Sequence, residues 1–344
     1  MNEKTLIDAF MFHNEFDLLE ARIELLKDTV DYFCIVESSH TFTGLSKSYR
    51  LERFLIERYG QQFYNSCIFI YKNDHYITSS NYEDTLLDHS GTLLADELKY
   101  VFRSLKADKY TWLNDLYQRE MLKVSIDQCV QQKKINTEDL FILISDADEI
   151  PSLSFLQLYL KQEDYVLYAQ MEQFRYNLNI KDLEKWIGSV KCHYDSLNQF
   201  SINTLRFAYK RNETPILRKC LVSEGGWHFT SFGTETQIKN KLDSWGHQEL
   251  NTNINRFFVG YRLQYGFDIF GREIDYNIAL IPNIPDELMT HLNKYMNYEI
   301  KKPTCLNVIV NRIIWVSDRI VYRMNNYLSD SKILKLLLSL KIFR

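Results

Sequence analysis

No run of this 344-residue chain approaches about 18 uninterrupted apolar residues, so no membrane-spanning helix is expected. The N-terminus passes from MNEKT straight into LIDAFMF, without the basic start and long apolar stretch of a signal peptide, so a cytoplasmic protein is expected. None of the six cysteines forms a C-x-x-C pair, and Cys34 and Cys67 lie in apolar runs, which fits small buried hydrophobes in a reducing compartment. A G-x-x-x-x-G-K-[ST] loop is missing, which argues against a P-loop enzyme. Positive charge is not in excess either: the net charge of −4 excludes a nucleic-acid protein as the first reading. There is no internal repeat and no clear linker.

What is present is a globular composition, 45% hydrophobic and 25% charged, long enough for a sizeable core. Aromatics reach 14%, with 23 Tyr and 21 Phe. Core and strand filling explains most of them; a sugar-handling surface is the functional alternative, because aromatic rings offer flat apolar faces with polar tips. Charge is uneven. Residues 301–344 carry nine Lys and Arg against two Asp and Glu, a net of +7, which leaves −11 on the rest of the chain.

The first part alternates strand and helix patterns. Residues 6–13, 31–38 and 67–71 read as strands, and 15–27 and 51–59 as helices. This rhythm predicts an α/β fold with a mostly parallel central sheet and flanking helices. Residues 73–111 break it and read as an insertion over the sheet edge, a solvated connection or a lid, with a helix near 93–105. A helix over 112–131 leads into Leu140–Ser145 (LFILIS), the most apolar strand of this part and hence the expected centre of the sheet. Pro151 and Ser152 suit the start of the next helix, and 165–173 and 201–210 read as further strands.

The central strand ends in Asp146-Ala147-Asp148-Glu149-Ile150-Pro151. Side chains at i and i+2 of an extended chain share a side, and ligands of open α/β sheets bind beyond the carboxyl ends of strands. Two carboxylates there repel unless a cation joins them. Mg²⁺ or Mn²⁺ prefers oxygen ligands and neutralises a leaving diphosphate. A D-x-D alone is a weak signal, since solvated turns contain it by chance; directly after an apolar strand it is a better one. Glu149 reads as an orienting residue.

Several segments together resemble the family of β-1,4-mannosyl-glycoprotein 4-β-N-acetylglucosaminyltransferases, the bisecting N-acetylglucosamine enzymes and their microbial relatives. They are IDAFMFHNEFDLLEARIELLKDTVDYFCIVESSHTFTG at the start, the helix carrying Trp112, Asn114, Asp115, Gln118 and Arg119, FILISDADEIPS, GGWHFTSFG (225–233) and KLDSWGHQELN (241–251). The likeness spans roughly residues 6–300 in the same order. It implies a Rossmann-like single-domain transferase fold of the GT-A type over 1–300, a UDP-sugar donor, typically UDP-N-acetylglucosamine, and inversion at the anomeric carbon. Ser145 stands where animal members often carry another Asp, and no membrane anchor like that of the Golgi enzymes is expected. A polysaccharide or lipid-linked acceptor then fits better than an N-glycan.

The resemblance also puts His228 on the metal with Asp146 and Asp148; a hydrogen-bonded core histidine is the structural alternative. Gly225 and Gly226 would let the backbone approach a ligand, and Trp227 would stack on sugar or pack in the core. Glu37, closing the second strand, would accept hydrogen bonds from base or ribose, or pair with an arginine such as Arg22. Arg119 would hold diphosphate through its guanidinium fork, or bridge to Asp115 on its own helix. An inverting transfer needs a general base, for which Glu224, Glu249 (beside His247) and Asp195 are the candidates. The tail, 301–344, reads as a basic amphipathic helical segment: Val310, Ile313, Ile314, Ile320, Val321, Met324 and Leu328 share one arc and Arg312, Arg319 and Arg323 another. It either packs on the body or anchors reversibly on an anionic membrane. The competing classes are a nucleotidyl- or phosphotransferase using the same acidic turn, and a non-catalytic carbohydrate-binding protein.

Overall fold

The structure, a computed structural model, describes residues 4–105, 108–159, 165–211, 218–274, 276–278, 283–296 and 300–330. The alternation expected at the start is present as β1 (Thr5–Phe12), α1 (Phe16–Leu26), β2 (Tyr32–Ser38), α2 (Leu51–Cys67) and β3 (Ile68–Asn73). Then come α3 (Tyr82–Asp88), α4 (Leu93–Ser104), α5 (Lys109–Lys133), β4 (Leu140–Asp146), β5 (Glu149–Pro151) and α6 (Leu153–Leu156). The second half holds β6 (Tyr165–Arg175), β7 (Ile180–Asp182), β8 (Trp186–His193), α7 (Ser196–Gln199), α8 (Ile202–Arg211), β9 (Arg218–Thr230), α9 (Glu235–Ser244), α10 (Asn253–Gln264), β10 (Tyr276–Ile278), α11 (Asp286–Leu292) and α12 (Cys305–Asp330).

One mixed sheet organises these elements, in the order β10-β7-β6-β8-β4-β1-β2-β3, with β9 joined to β5 and β6. The expected parallel part is β3-β2-β1-β4. Beyond β4 the pairings with β8, and of β8 with β6, are antiparallel, while β9 runs parallel to β6. β4 lies between β1 and β8 with Leu140, Ile142, Leu143 and Ile144 fully buried, as expected of a strand covered on both faces. Two apolar clusters cover the two faces. Phe10, Phe33, Leu143 and Leu19 belong to one; Ile7, Cys34, Ile144 and Leu122 of α5 belong to the other.

One expectation is corrected. Residues 201–210, read as a strand, form α8: Ile202, Leu205 and Ala208 are buried at intervals of three, a helical spacing. The stretch 73–111 holds the helix expected near 93–105. It contains α3 and α4, and Asn114 of α5 clamps it by exchanging 2.8 Å hydrogen bonds with the N–H and C=O of Ile77. The tail helix is present as α12, with Ile314 buried; the second apolar stretch of the tail, 334–340, lies outside the described residues.

Candidate active site

The acidic turn starts from a buried ion pair. Asp8 of β1 and Arg22 of α1 are both fully buried, and the guanidinium meets both carboxylate oxygens at 2.6 and 2.7 Å. The same arginine donates to the Glu149 carbonyl at 2.5 Å and to Ser145 Oγ at 3.0 Å. Arg22 therefore ties β1 to both ends of the turn and is not the partner of Glu37. Glu37 instead accepts the backbone N–H groups of Arg50 (2.9 Å) and Leu51 (3.3 Å), satisfying free donors at the start of α2.

Glu149 is fully buried. Its carboxylate accepts from Arg206 at 2.7 and 2.9 Å, from Trp186 Nε1 at 2.6 Å and from the Asp146 N–H at 3.2 Å. Arg206 also reaches Asp146 Oδ2 at 3.0 Å and the Gly188 carbonyl at 2.9 Å. Arg119 grips Asp115 in a fork at 2.8 and 3.1 Å, so the intrahelical bridge exists, yet its Nε also lies 4.0 Å from Asp146 Oδ1. That oxygen is shielded from solvent and has no hydrogen-bond partner. Burial works to raise the Asp146 pKa, but Arg206 and Arg119, then His228 and Lys241, outweigh it and hold it at about 2.

Asp148 faces two groups. His228 Nε2 is 3.7 Å from Oδ1, and Lys241 Nζ of α9 is 3.2 Å from Oδ2. The other ring nitrogen of His228 lies 3.3 Å from Gln173 Oε1, and the ring rests on Trp186 with centroids 4.6 Å apart. Burial pushes the His228 pKa down against the pull of Asp148 and Glu149, which favours the neutral imidazole, the form that binds metal. Lys210 Nζ lies 3.4 Å from the centroid of the Trp186 ring. Among the described residues, no three His, Cys, Asp or Glu side chains converge as a ready metal cage.

The register explains why His228 is there. β9 pairs with β5 so that His228 opposes Glu149 and Trp227 opposes Ile150. Neighbours on an extended strand point to opposite sides, so Trp227 turns away from His228 and packs against the Phe10 cluster. The two glycines before it serve the strands themselves. A Cβ on Gly225 would sit 2.6 Å from Ala169 Cα, and one on Gly226 would sit 2.3 Å from the Ile150 carbonyl oxygen. They let β9 pass between β6 and β5. Glu224, exposed and at φ +54°, lines a cleft of about 490 Å³ with Trp227, Glu172 and Lys181.

Glu249 follows α9, where it accepts a 2.7 Å hydrogen bond from His247 Nδ1; His247 in turn packs edge-on against Trp112 of α5. Asp115 feels the charges of both Asp146 and His247, so this loop is on the side of the acidic turn. Asp195 is not. His193 pairs with Phe141, at the start of β4, so Asp195 sits at the far end of that strand, roughly 16 Å of extended chain away.

The residues expected to act together thus divide. Arg119 lies beside Asp146, and His228 beside Asp148; Glu37 lies near the end of β2, two strands from β4; Trp227 and Glu224 share a separate cleft; Glu249 belongs to a neighbouring loop. Arg206, Trp186 and Gln173 went unnoticed in the sequence, and Lys241 was seen only as the first residue of a matching segment. A helical reading of 202–211 would have freed Arg206 from a strand pattern that hid it.

A model of glycosyltransferase family 17 matches residues 1–84 and 89–265. The chain belongs to this family. It is a glycosyltransferase, and the acidic turn, α5 and the His228 strand all fall within the matched residues. A search of curated proteins found no match. Among solved structures, the chain is similar to a glycosyltransferase involved in the glycosylation of the major capsid of PBCV-1, at 9% identity, over 64% of this chain and 82% of that one, with a TM-score of 0.27.

Proposed function

We propose that this family 17 transferase is an inverting enzyme of the Rossmann-like GT-A type. It moves a sugar, N-acetylglucosamine first among the candidates, from a UDP-sugar to a saccharide or lipid-linked acceptor, with Mn²⁺ or Mg²⁺. The observation that carries the reading is the meeting of Asp148, His228 and Lys241 at the carboxyl end of the central strand. A hard cation needs only one or two carboxylates when substrate phosphates complete its shell. Asp148, with His228 3.7 Å away, fits that requirement, and Asp146 would be the second carboxylate. When bound, the metal would supply Lewis-acid neutralisation of the diphosphate.

The chain's own cations share that work. In the transfer, an acceptor hydroxyl oxygen bonds to the anomeric carbon as the bond from that carbon to the diphosphate oxygen breaks. The electron pair leaves with UDP. Lys241 and Arg119 are among the cations beside the carboxylates, and they would balance the developing charge. The hydroxyl proton goes to a general base. Glu249 is favoured over Glu224, because the charges felt by Asp115 link its loop to the acidic turn. Burial works to raise the Glu249 pKa, but the hydrogen bond from His247 and its charge bring it below the usual range, leaving the carboxylate ionised at neutral pH.

The test is UDP release from a panel of UDP-sugars, with and without Mn²⁺, on wild type and Asp148→Ala. Release that needs both metal and Asp148 supports the proposal and identifies the sugar. Turnover of nucleoside triphosphates in place of UDP-sugars, or no metal-dependent binding of any nucleotide-sugar, would overturn it.

A further inference from the structure

α12 has two distinct faces. One is fixed to the body by polar contacts. Asn311 accepts from the fully buried Arg262 at 3.1 Å, Asp318 holds Thr252 and Asn255, Ile314 is buried between them, and Trp315 lies against Gly271. The opposite face carries Leu306, Ile309, Ile313, Val316, Ile320 and Met324, each 43–68% exposed. Their intervals of three and four residues form a single stripe, about 27 Å long at 1.5 Å per residue. Arg312, Arg319 and Arg323 run along one edge of it; Arg312 reaches Glu273 at 2.9 Å.

An exposed row of large aliphatic side chains on a rigidly held helix marks an interaction surface. We propose that this face docks on an anionic lipid surface, the stripe entering the headgroup boundary and the arginines meeting lipid phosphates and carboxylates. Charge selects this occupant over two others. The chain beyond the described residues, 331–344, carries four Lys and Arg and no acidic residue. Folded back over the stripe, it would set its cations against the arginine row. A second copy packed antiparallel, stripe to stripe, would bring two arginine rows together. A lipid surface accepts both sets of charges at once. The helix lies on the membrane and does not cross it, since among the described residues no helix is long and apolar enough to span one.

The inference does not depend on the donor or the metal, and its test needs no turnover. The full chain is floated with phosphatidylcholine vesicles, with and without phosphatidylserine. Binding is expected only with the anionic lipid and should weaken with salt. Ile313→Glu with Ile320→Glu should abolish it at unchanged melting temperature, because both side chains face outward. Arg319→Gln with Arg323→Gln should weaken it about 30-fold, at about 1 kcal/mol per basic residue. Equal binding to neutral vesicles would overturn the proposal. So would a dimer in solution that the Ile313/Ile320 change dissociates, or vesicle binding that appears only after 331–344 is removed.

Discussion

Arg206 is the residue on which the acidic turn most depends, and Arg206→Met tests this directly. The guanidinium is almost fully buried and is shared by Glu149, fully buried, and Asp146. Methionine keeps much of the apolar stem but removes the charge and four hydrogen bonds, to Glu149 twice, Asp146 and Gly188. Removing one partner of a buried ion pair costs about 3–5 kcal/mol, mainly because the other charge is left uncompensated. With an unfolding entropy of about 2.1 cal/mol/K per residue over 344 residues, that is a fall in Tm of about 4–7 °C at pH 7.5. Differential scanning calorimetry measures it. The deficit should shrink towards pH 4, because a protonated carboxyl needs no counter-charge, and adding Glu149→Gln should restore part of the loss. A Tm within about 1 °C of wild type, or a deficit independent of pH, would refute the idea that Arg206 neutralises the turn.

Other outcomes follow from the same geometry. Asp148→Asn should abolish metal-dependent donor binding, measured by isothermal titration with Mn²⁺ and UDP, while Tm moves little; retained metal-dependent binding would remove Asp148 from the site. Lys241→Met should lower kcat by about 10²-fold with a smaller change in donor KM if its charge is used on the leaving diphosphate, and a pure KM effect would contradict that role. Lys191 is buried, with Nζ donating to the carbonyls of Leu156 (2.5 Å) and Leu158 (2.8 Å); burial, with Lys4 nearby, pushes its pKa down to about 7. Between pH 7 and 10 the unfolded chain then holds one proton more than the folded one, so this lysine makes stability rise by up to about 1.4 kcal/mol per pH unit. Lys191→Met should remove that slope in urea titrations and leave activity intact. Gly226→Ala should destabilise by about 3 kcal/mol or fail to fold, since φ is +141° and the added carbon would meet the Ile150 oxygen at 2.3 Å.

What could be read directly from the residues was local. The apolar periodicity of 6–13, 31–38 and 140–145 gave the parallel strands, and an acidic pair placed directly after the most buried of them gave the turn. Those signals need no partner, because a strand covered on both faces must be apolar wherever it pairs. The helix of 202–211 was misread because its amphipathic spacing is short and mixed with aromatics, and only packing against α5 and β8 selects between the two periods.

The charge partners were decided by tertiary structure alone. Arg119 and Asp115 are neighbours on one helix, so that pairing was open to inspection. Arg206, Lys241 and His228 lie between 57 and 93 residues from the carboxylates they face. Register brought them there: β9 against β5, α8 behind β8, α9 across the strand ends. The sequence by itself determined which groups carry charge and which strand presents the acidic turn. Which cation meets which carboxylate, and which face of the last helix stays bare, followed from chain topology. A Coulomb interaction depends on distance in space, and separation along the chain does not supply it.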